Sequence, residues 1–576
     1  MKRFFVAIVA LSTLALTGCS TTLHLEPGSI VNVAETATMI SLNPDVVTTA
    51  SAEKLADEVA NLTTESFYSL NEAGALVANP GFGTVTVDSE NPLTVTYEIT
   101  KGRKWSDGQP IDSADLVLSF AAATNPEQTN FYSRRAGNGL KYASVKEVGL
   151  RSLTLQFSQP VSDWRTALPV AVAAHAVAFQ ALDGISASAG KASVIEAVQG
   201  KDATKLAKLA DSYRTAFSTG GDKFALAALV SNGAYEITNV IKDVSVALEA
   251  VTKYKGDFAP VAEKVNVKVY GDSMAALAEM NANKIDIIGA TESGLVKYPD
   301  LIGMVSSLST TKAATTLRNG STADMVVFNF GNGSAFNAAT YKSKPGVAAE
   351  LRKAFMSIIP KARIVASASG STPVSASDSF VYPSNSDYYR ATSSANGSEN
   401  YLLQDIEQAS EIVKASGVST PVDVRVVYDS SNPHSVAEYK AIAVRAASAG
   451  FNLIDSSSAS PTRDLLAGLF DVYIGPRELV GVPGSDPSRL VSDPITGYTD
   501  SQVSALLLDY AKASKEIKQA SILQKIDARL YATGYGIPLY EVPNLIIYRS
   551  KFNKISVSPF GDSATWGYWT WSVSSK

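Results

Sequence analysis

The stretch Leu93 to Phe120 reads LTVTYEITKGRKWSDGQPIDSADLVLSF and contains three local structures in succession. Leu93, Val95, Tyr97 and Ile99 alternate with Thr94, Thr96 and Glu98, the period of a strand with one buried face. Ser106-Asp107-Gly108 has the composition of a tight turn, and Trp105 beside it reads as an aromatic that packs the turn. A helix then starts near Asp112 or Ser113, whose carboxylate or hydroxyl can accept from the free N–H groups of the first turn.

The same two periods recur on either side. Leu153, Leu155 and Phe157 predict a strand, as do Val265, Val267 and Val269, and Val422, Val424 and Val426. Leu402, Ile406, Ala409 and Ile412 or Val413 fall on one helical face, and Ile522, Ile526 and Leu530 on another. Strands and helices alternate along much of the chain, which predicts a mixed α/β protein. With 576 residues there is material for about two to four domains. Residues 181–224, rich in Ala, Ser, Lys and Asp, read as a helical insertion on a surface, and 366–398 as a long loop. No internal repeat is visible.

Hydrophobic residues make up 45% and charged residues 18% of the chain, the balance of a globular protein. The net charge is −5 with no basic block, which argues against nucleic acid as a partner. Three scattered histidines (His24, His175, His434) and a single cysteine give no metal cluster and no internal disulfide. The nucleophile elbow, the His-Glu-x-x-His zinc motif and the phosphate-binding loop are all missing from the sequence, so no enzyme is expected. Gly561-Asp562-Ser563 reads as a turn rather than a hydrolase serine.

The one cysteine stands where it has a use. Lys2 and Arg3 precede an apolar run from Phe4 to Leu16, too short to span a bilayer, which takes roughly 20 apolar residues. The run ends in Leu16-Thr17-Gly18-Cys19, which resembles the bacterial lipobox. Residues 1–18 are then a signal peptide, Cys19 carries the lipid, and 19–30, with Pro27-Gly28, form a short tether. The expected location is extracytoplasmic, lipid-anchored to the cell membrane, on the periplasmic side in a Gram-negative host.

Six segments in order resemble the extracellular solute-binding proteins of family 5, the peptide, dipeptide and nickel-complex receptors of ABC importers. They are Ser41-Leu42-Asn43-Pro44, the Leu93–Phe120 stretch, Ser231 to Ile237, Leu351 to Val365 (LRKAFMSIIPKARIV), Ile495 to Leu507 with Gly497-Tyr498, and Ile537-Pro538-Leu539-Tyr540. Two departures stand out: Pro360 precedes Lys361 where the family has an acidic residue, and Ala234 replaces a proline.

The resemblance implies a two-lobed α/β fold of the periplasmic-binding-protein type II, cluster C, with an accessory domain on lobe one. Lobe one would take 31–65, 225–320 and 537–576, the accessory domain 66–224, and lobe two 321–536. It also implies a monomer without cofactor that captures an oligopeptide between its lobes and serves an ABC permease and its ATPase. The expected ligand-binding positions are Asp486, which meets a ligand ammonium or else simply starts a turn before Pro487, and Arg477, which faces a ligand carboxylate. Thr48, Thr49 and Ala50 lie on the edge that pairs with a peptide backbone, and Tyr540 is a lining residue. A metal chelate, sugar or opine-like ligand on the same scaffold is the alternative, as is an envelope interaction protein that has lost transport.

Overall fold

The strand, turn and helix of Leu93–Phe120 form as their residues dictate. Leu93–Ile99 is the second strand of a four-stranded antiparallel sheet with Gly83–Glu90, Ser152–Phe157 and Ala143–Val148. The helix Ser113–Thr124 is started by a reciprocal capping box. In it Asp112 accepts from Ala114 N at 3.0 Å, while its own N–H donates to Asp115 at 2.9 Å. The turn is bracketed from two sides. His175 Nε2 lies 2.8 Å from Asp107 Oδ2, and Ser106 N donates to Ser231 O at 2.8 Å. Trp105 is 2% exposed, a packing residue as its setting predicts.

The computed structural model describes residues 25–291 and 313–573, apart from 332, 343, 345, 370–373, 514 and 562. The signal peptide and Cys19 lie outside the described residues. The first strand, Glu26–Glu35, begins inside the stretch read as tether. Gly28 makes this possible: at φ +72 it forms an irregularity between Glu26 and Ile30, after which the strand pairs in parallel with Ala262–Val269. Residues 26–30, read as part of the tether, thus belong to the strand.

A ten-stranded mixed sheet is the backbone of the molecule. Across it run Phe451–Asp455, Val422–Tyr428, Val472–Glu478, Ala313–Phe328, Gly536–Arg549, Ile287–Thr291, Glu26–Glu35, Ala262–Val269, Ser245–Ala250 and Tyr235–Ile241. Two long antiparallel strands in the middle, Ala313–Phe328 and Gly536–Arg549, carry it from one hydrophobic core to another. Ala323, Met325, Val326, Ile537 and Leu539 sit in one core, and Ile546 in the other. The pairing slips between Asn319 and Ala323, and again between Asp324 and Met325, so the ladder is broken where the two cores meet. These are the two lobes of the type II fold. The accessory sheet shares its core with lobe one.

Ionic and polar brackets hold lobe one together at the resemblance motifs. Arg103 donates to Glu65 Oε2 at 2.5 Å and to Asn232 O at 2.8 Å, with its guanidinium over the rings of Phe82 and Tyr254. Asn232 accepts from Glu65 N and donates to Val170 O, both at 2.6 Å. Gly233 is obligatory in this bracket, because a Cβ there would sit 2.6 Å from the backbone carbon of Thr63.

Three expectations are corrected. Residues 181–224 are helical, at Ala187–Gln199 and Ala203–Thr215, but they are not a surface addition. Val194, Leu206, Leu209 and Tyr213 are buried in the lobe-one core, and Tyr213 OH donates to Asp45 at 2.6 Å. The helix expected from Leu402 starts at Ile406, because Asp405 accepts from Gln408 N and caps it there; Leu402 is 56% exposed. Residues 366–398 are not one loop. The helix Lys361–Ser369 runs into them, Tyr389–Ser393 is a short helix, and Phe380, Val381 and Tyr382 enter the lobe-two core. Ser563, in the suspect Gly-Asp-Ser run, donates to the buried Glu58 at 2.9 Å and accepts from Asn61.

Buried carboxyls give the fold a pH dependence. Burial pushes Glu65, Asp324, Asp527 and Glu541 up to about 7. The folded chain therefore keeps protons that the unfolded chain, with carboxyls near 4, has released. Stability falls as pH rises through that window. Asp455 and Asp500, held low by hydrogen bonds, act in the opposite sense only below it. Thermal melting at constant ionic strength is expected to give a higher Tm at pH 5 than at pH 8. The reverse order would contradict this reading of the four groups.

Candidate functional site

Between the lobes run two adjoining cavities of about 600 and 300 Å³, which share Ser162, Asp163 and the segment 482–485. This is the size of a small-solute site. One wall is the accessory side of lobe one, the other the loop that follows strand Val472–Glu478 in lobe two.

The lobe-one wall is built on a Gly-Asn-Gly turn. Gly137 and Gly139 let the backbone close over Asp163: a Cβ at Gly137 would lie 2.5 Å from Asp163 Oδ2, and one at Gly139 would collide with Oδ1. Gly139 N donates to Asp163 Oδ2 at 3.1 Å. Asn138, between the glycines, reaches across the cleft and donates to Asp486 Oδ2 at 2.7 Å. The other oxygen of Asp486 accepts from Ser488 N at 2.9 Å. Asp486 therefore shapes the turn around Pro487 and also faces lobe one.

Asp163 and Asp486 oppose each other from the two lobes. Among the described residues neither forms an ion pair. Burial raises the Asp163 carboxyl and the charge of Asp486 raises it further, against the backbone N–H groups and the charge of Lys141, which lower it. Tyr510, on the helix Ser501–Lys512, is pushed up to about 12 by burial and by the negative charges of Asp163, Asp486 and Glu516. Tyr382, Tyr388 and Phe560 line the smaller cavity alongside Tyr510. The basic groups on the larger cavity's walls are mostly engaged. Arg134 pairs with Asp57, Arg135 with Asp45, and Arg489 with Glu478. Two carboxylates among aromatic rings form a place suited to a cation.

The other expected positions fall elsewhere. Arg477 turns into lobe two, where it pairs with Asp493 and lines a separate cavity of about 380 Å³ with Tyr535. Thr48 and Thr49 lead into the helix Ala50–Thr63, and Ala50 is its first residue. All three are exposed, and none lines either interlobe cavity. Tyr540 is fully buried, with its hydroxyl 2.9 Å from Glu438 Oε1 and 3.2 Å from Asp324 Oδ2. Burial raises the Asp324 carboxyl to about 7, against the hydrogen bond from Tyr540, which lowers it. Asp163, Asn138 and Tyr510 were not singled out from sequence. Only the paired glycines around Asn138 hinted at them.

A two-lobed α/β body with a solute-sized cleft has the form of a solute-binding protein. Residues 61–486 match the family model of bacterial extracellular solute-binding proteins, family 5 Middle, and the chain belongs to that family. It is 22% identical, over 98% of its length and 96% of the relative's, to an uncharacterized lipoprotein of Mycobacterium tuberculosis (strain ATCC 25618 / H37Rv). Its fold matches the periplasmic EDTA-binding protein EppA with a TM-score of 0.74 at 17% identity, over 97% of this chain and 99% of that one. It also matches the oligopeptide-binding protein AppA of Bacillus subtilis, solved in complex with a nonapeptide, with a TM-score of 0.64 at 11% identity, over 95% and 99%. At these identities the likeness to solved structures is one of fold. Among the described residues no helix is long and apolar enough to cross a membrane.

Proposed function

We propose that the chain is the substrate-binding lipoprotein of an ABC importer, that it captures oligopeptides, and that it holds their free ammonium between Asp163 and Asp486. The observation that carries this reading is the pair of opposed carboxylates, one per lobe, with no ion-pair partner among the described residues. A cation placed there is attracted by both lobes at once. Binding energy then favours the closed arrangement over the open one, and closure forms the surface a permease reads. The same charge disfavours an anionic metal chelate. In this reading lobe one takes 26–65, 225–320 and 537–576, the accessory domain 66–224 and lobe two 321–536, with the two long central strands as the hinge.

Native mass spectrometry of the purified protein with a broad peptide library tests the proposal. Bound peptides with free amino termini are expected, and failure to retain any member would sink it. Cys19→Ser is expected to release the protein from membranes and leave peptide affinity unchanged. A drop in affinity would show that anchor and binding body are not separable.

A further inference from the structure

Two half-buried tryptophans lie near the start of the first strand, the described end of the chain closest in sequence to Cys19. Trp569 packs against Phe258 at 4.5 Å between ring centroids and against Trp566 at 5.3 Å. All three rings are part-exposed, while Lys253 and Lys255 of the same loop are exposed. Tyr568 OH donates to Phe258 O at 3.1 Å and fixes this loop to the C-terminal segment. Three residues after Phe258, Val261 O accepts from Glu26 N at 3.0 Å, at the start of the first strand. The aromatic cluster and the start of the first strand are thus joined by a link of at most about 10 Å. Ile30, 47% exposed, lies on that same strand.

The length of the leash limits what this face can meet. From Cys19 to Glu26 the chain spans at most about 25 Å. With a lipid on Cys19, the edge carrying Glu26 is the part of the body kept nearest the bilayer. Tryptophan beside lysine is the pairing that settles at a membrane interface, the ring at headgroup depth and the ammonium in water. Asp257 is exposed within the same loop and Glu263 follows it, so the patch is close to neutral. Its attraction to lipid then rests on the rings more than on charge.

We infer that Phe258, Trp566 and Trp569 form a membrane-contacting face that seats the tethered receptor on the phospholipid surface with its first strand toward the bilayer. This rests on the lipid anchor at Cys19 put forward above. The contact adds to the anchor at little cost, because the tether has already brought the rings to the surface. The contact also limits rotation of the body about its leash, so the cleft keeps a defined orientation above the membrane.

Full-length lipidated protein in phosphatidylcholine–phosphatidylglycerol vesicles, with and without brominated acyl chains, tests the inference by tryptophan fluorescence. Trp105, Trp164 and Trp571 are buried, so quenching reports Trp566 and Trp569, two of the chain's five tryptophans. The expected result is that brominated lipid removes the share of emission those two carry. Trp566→Phe with Trp569→Phe should float with the vesicles equally well and lose the quenching. Wild-type protein that floats but is not quenched overturns this inference alone, as it would if the patch served a protein partner instead. Protein that does not float refutes the anchor and, with it, the seat.

Discussion

Changing Asp163 and Asp486 together to asparagine is expected to weaken the binding of free-amine peptides by about 100-fold, the scale for removing carboxylates from a desolvated charge pair. The shape of the cleft survives the change. An asparagine at 163 can still accept from Gly139 N, and one at 486 can accept from Ser488 N while its NH2 donates to the Asn138 side-chain oxygen once that amide turns over, so the loss is one of charge. Each single variant should cost less than the pair, because one carboxylate still attracts the ammonium from its own lobe. Acetylating the peptide's amino terminus should mimic the double variant on the wild-type protein and have little further effect on the variant itself. Isothermal titration of the four combinations gives the coupling directly. An N-acetylated peptide bound as tightly as the free amine would show that the carboxylates do something else.

The second large effect concerns stability. Arg103→Met is expected to destabilise lobe one by about 3–5 kcal/mol, the cost of leaving the partner of a buried ion pair behind. Arg103 and Glu65 are 8% and 5% exposed, and Arg103 also donates to Asn232 O. Even with Arg103 present, burial outweighs its attraction and holds the Glu65 carboxyl up at about 7. Without the arginine, Glu65 must take up a proton to stay buried. The loss in Tm should therefore be greater at pH 8 than at pH 5. Adding Glu65→Gln to Arg103→Met should recover part of the stability, since a neutral amide costs less to bury. Equal loss at both pH values would mean the arginine acts through packing on Phe82 and Tyr254 alone.

The sequence revealed most where the physics is local. The capping box at Asp112, the turn at Ser106–Gly108 and the alternating strand need only near neighbours, and each formed as read. The resemblance singled out Asp486, which lies on the cleft wall, but its hydrogen-bond partner in lobe one is Asn138, 348 residues away, and no periodicity connects them. Asp163 sits in a loop with no pattern at all. The surroundings of Tyr540 were not legible for another reason: its strand is buried on both faces, so alternation cannot say which side a residue faces. The helices at 187–215 looked like surface because they are rich in alanine and lysine. Alanine faces allow close approach, which is how this segment enters the core.

A cation held between the lobes is what closes them in this proposal. Titration of the wild-type protein with one peptide in free-amine and N-acetylated forms, and with an iron–EDTA chelate, followed by small-angle scattering of each mixture, separates cation-driven closure from its alternatives. The free-amine peptide alone is expected to bind tightly and shrink the radius of gyration. Tight binding and compaction by the anionic chelate, with the free-amine peptide inert, would contradict it.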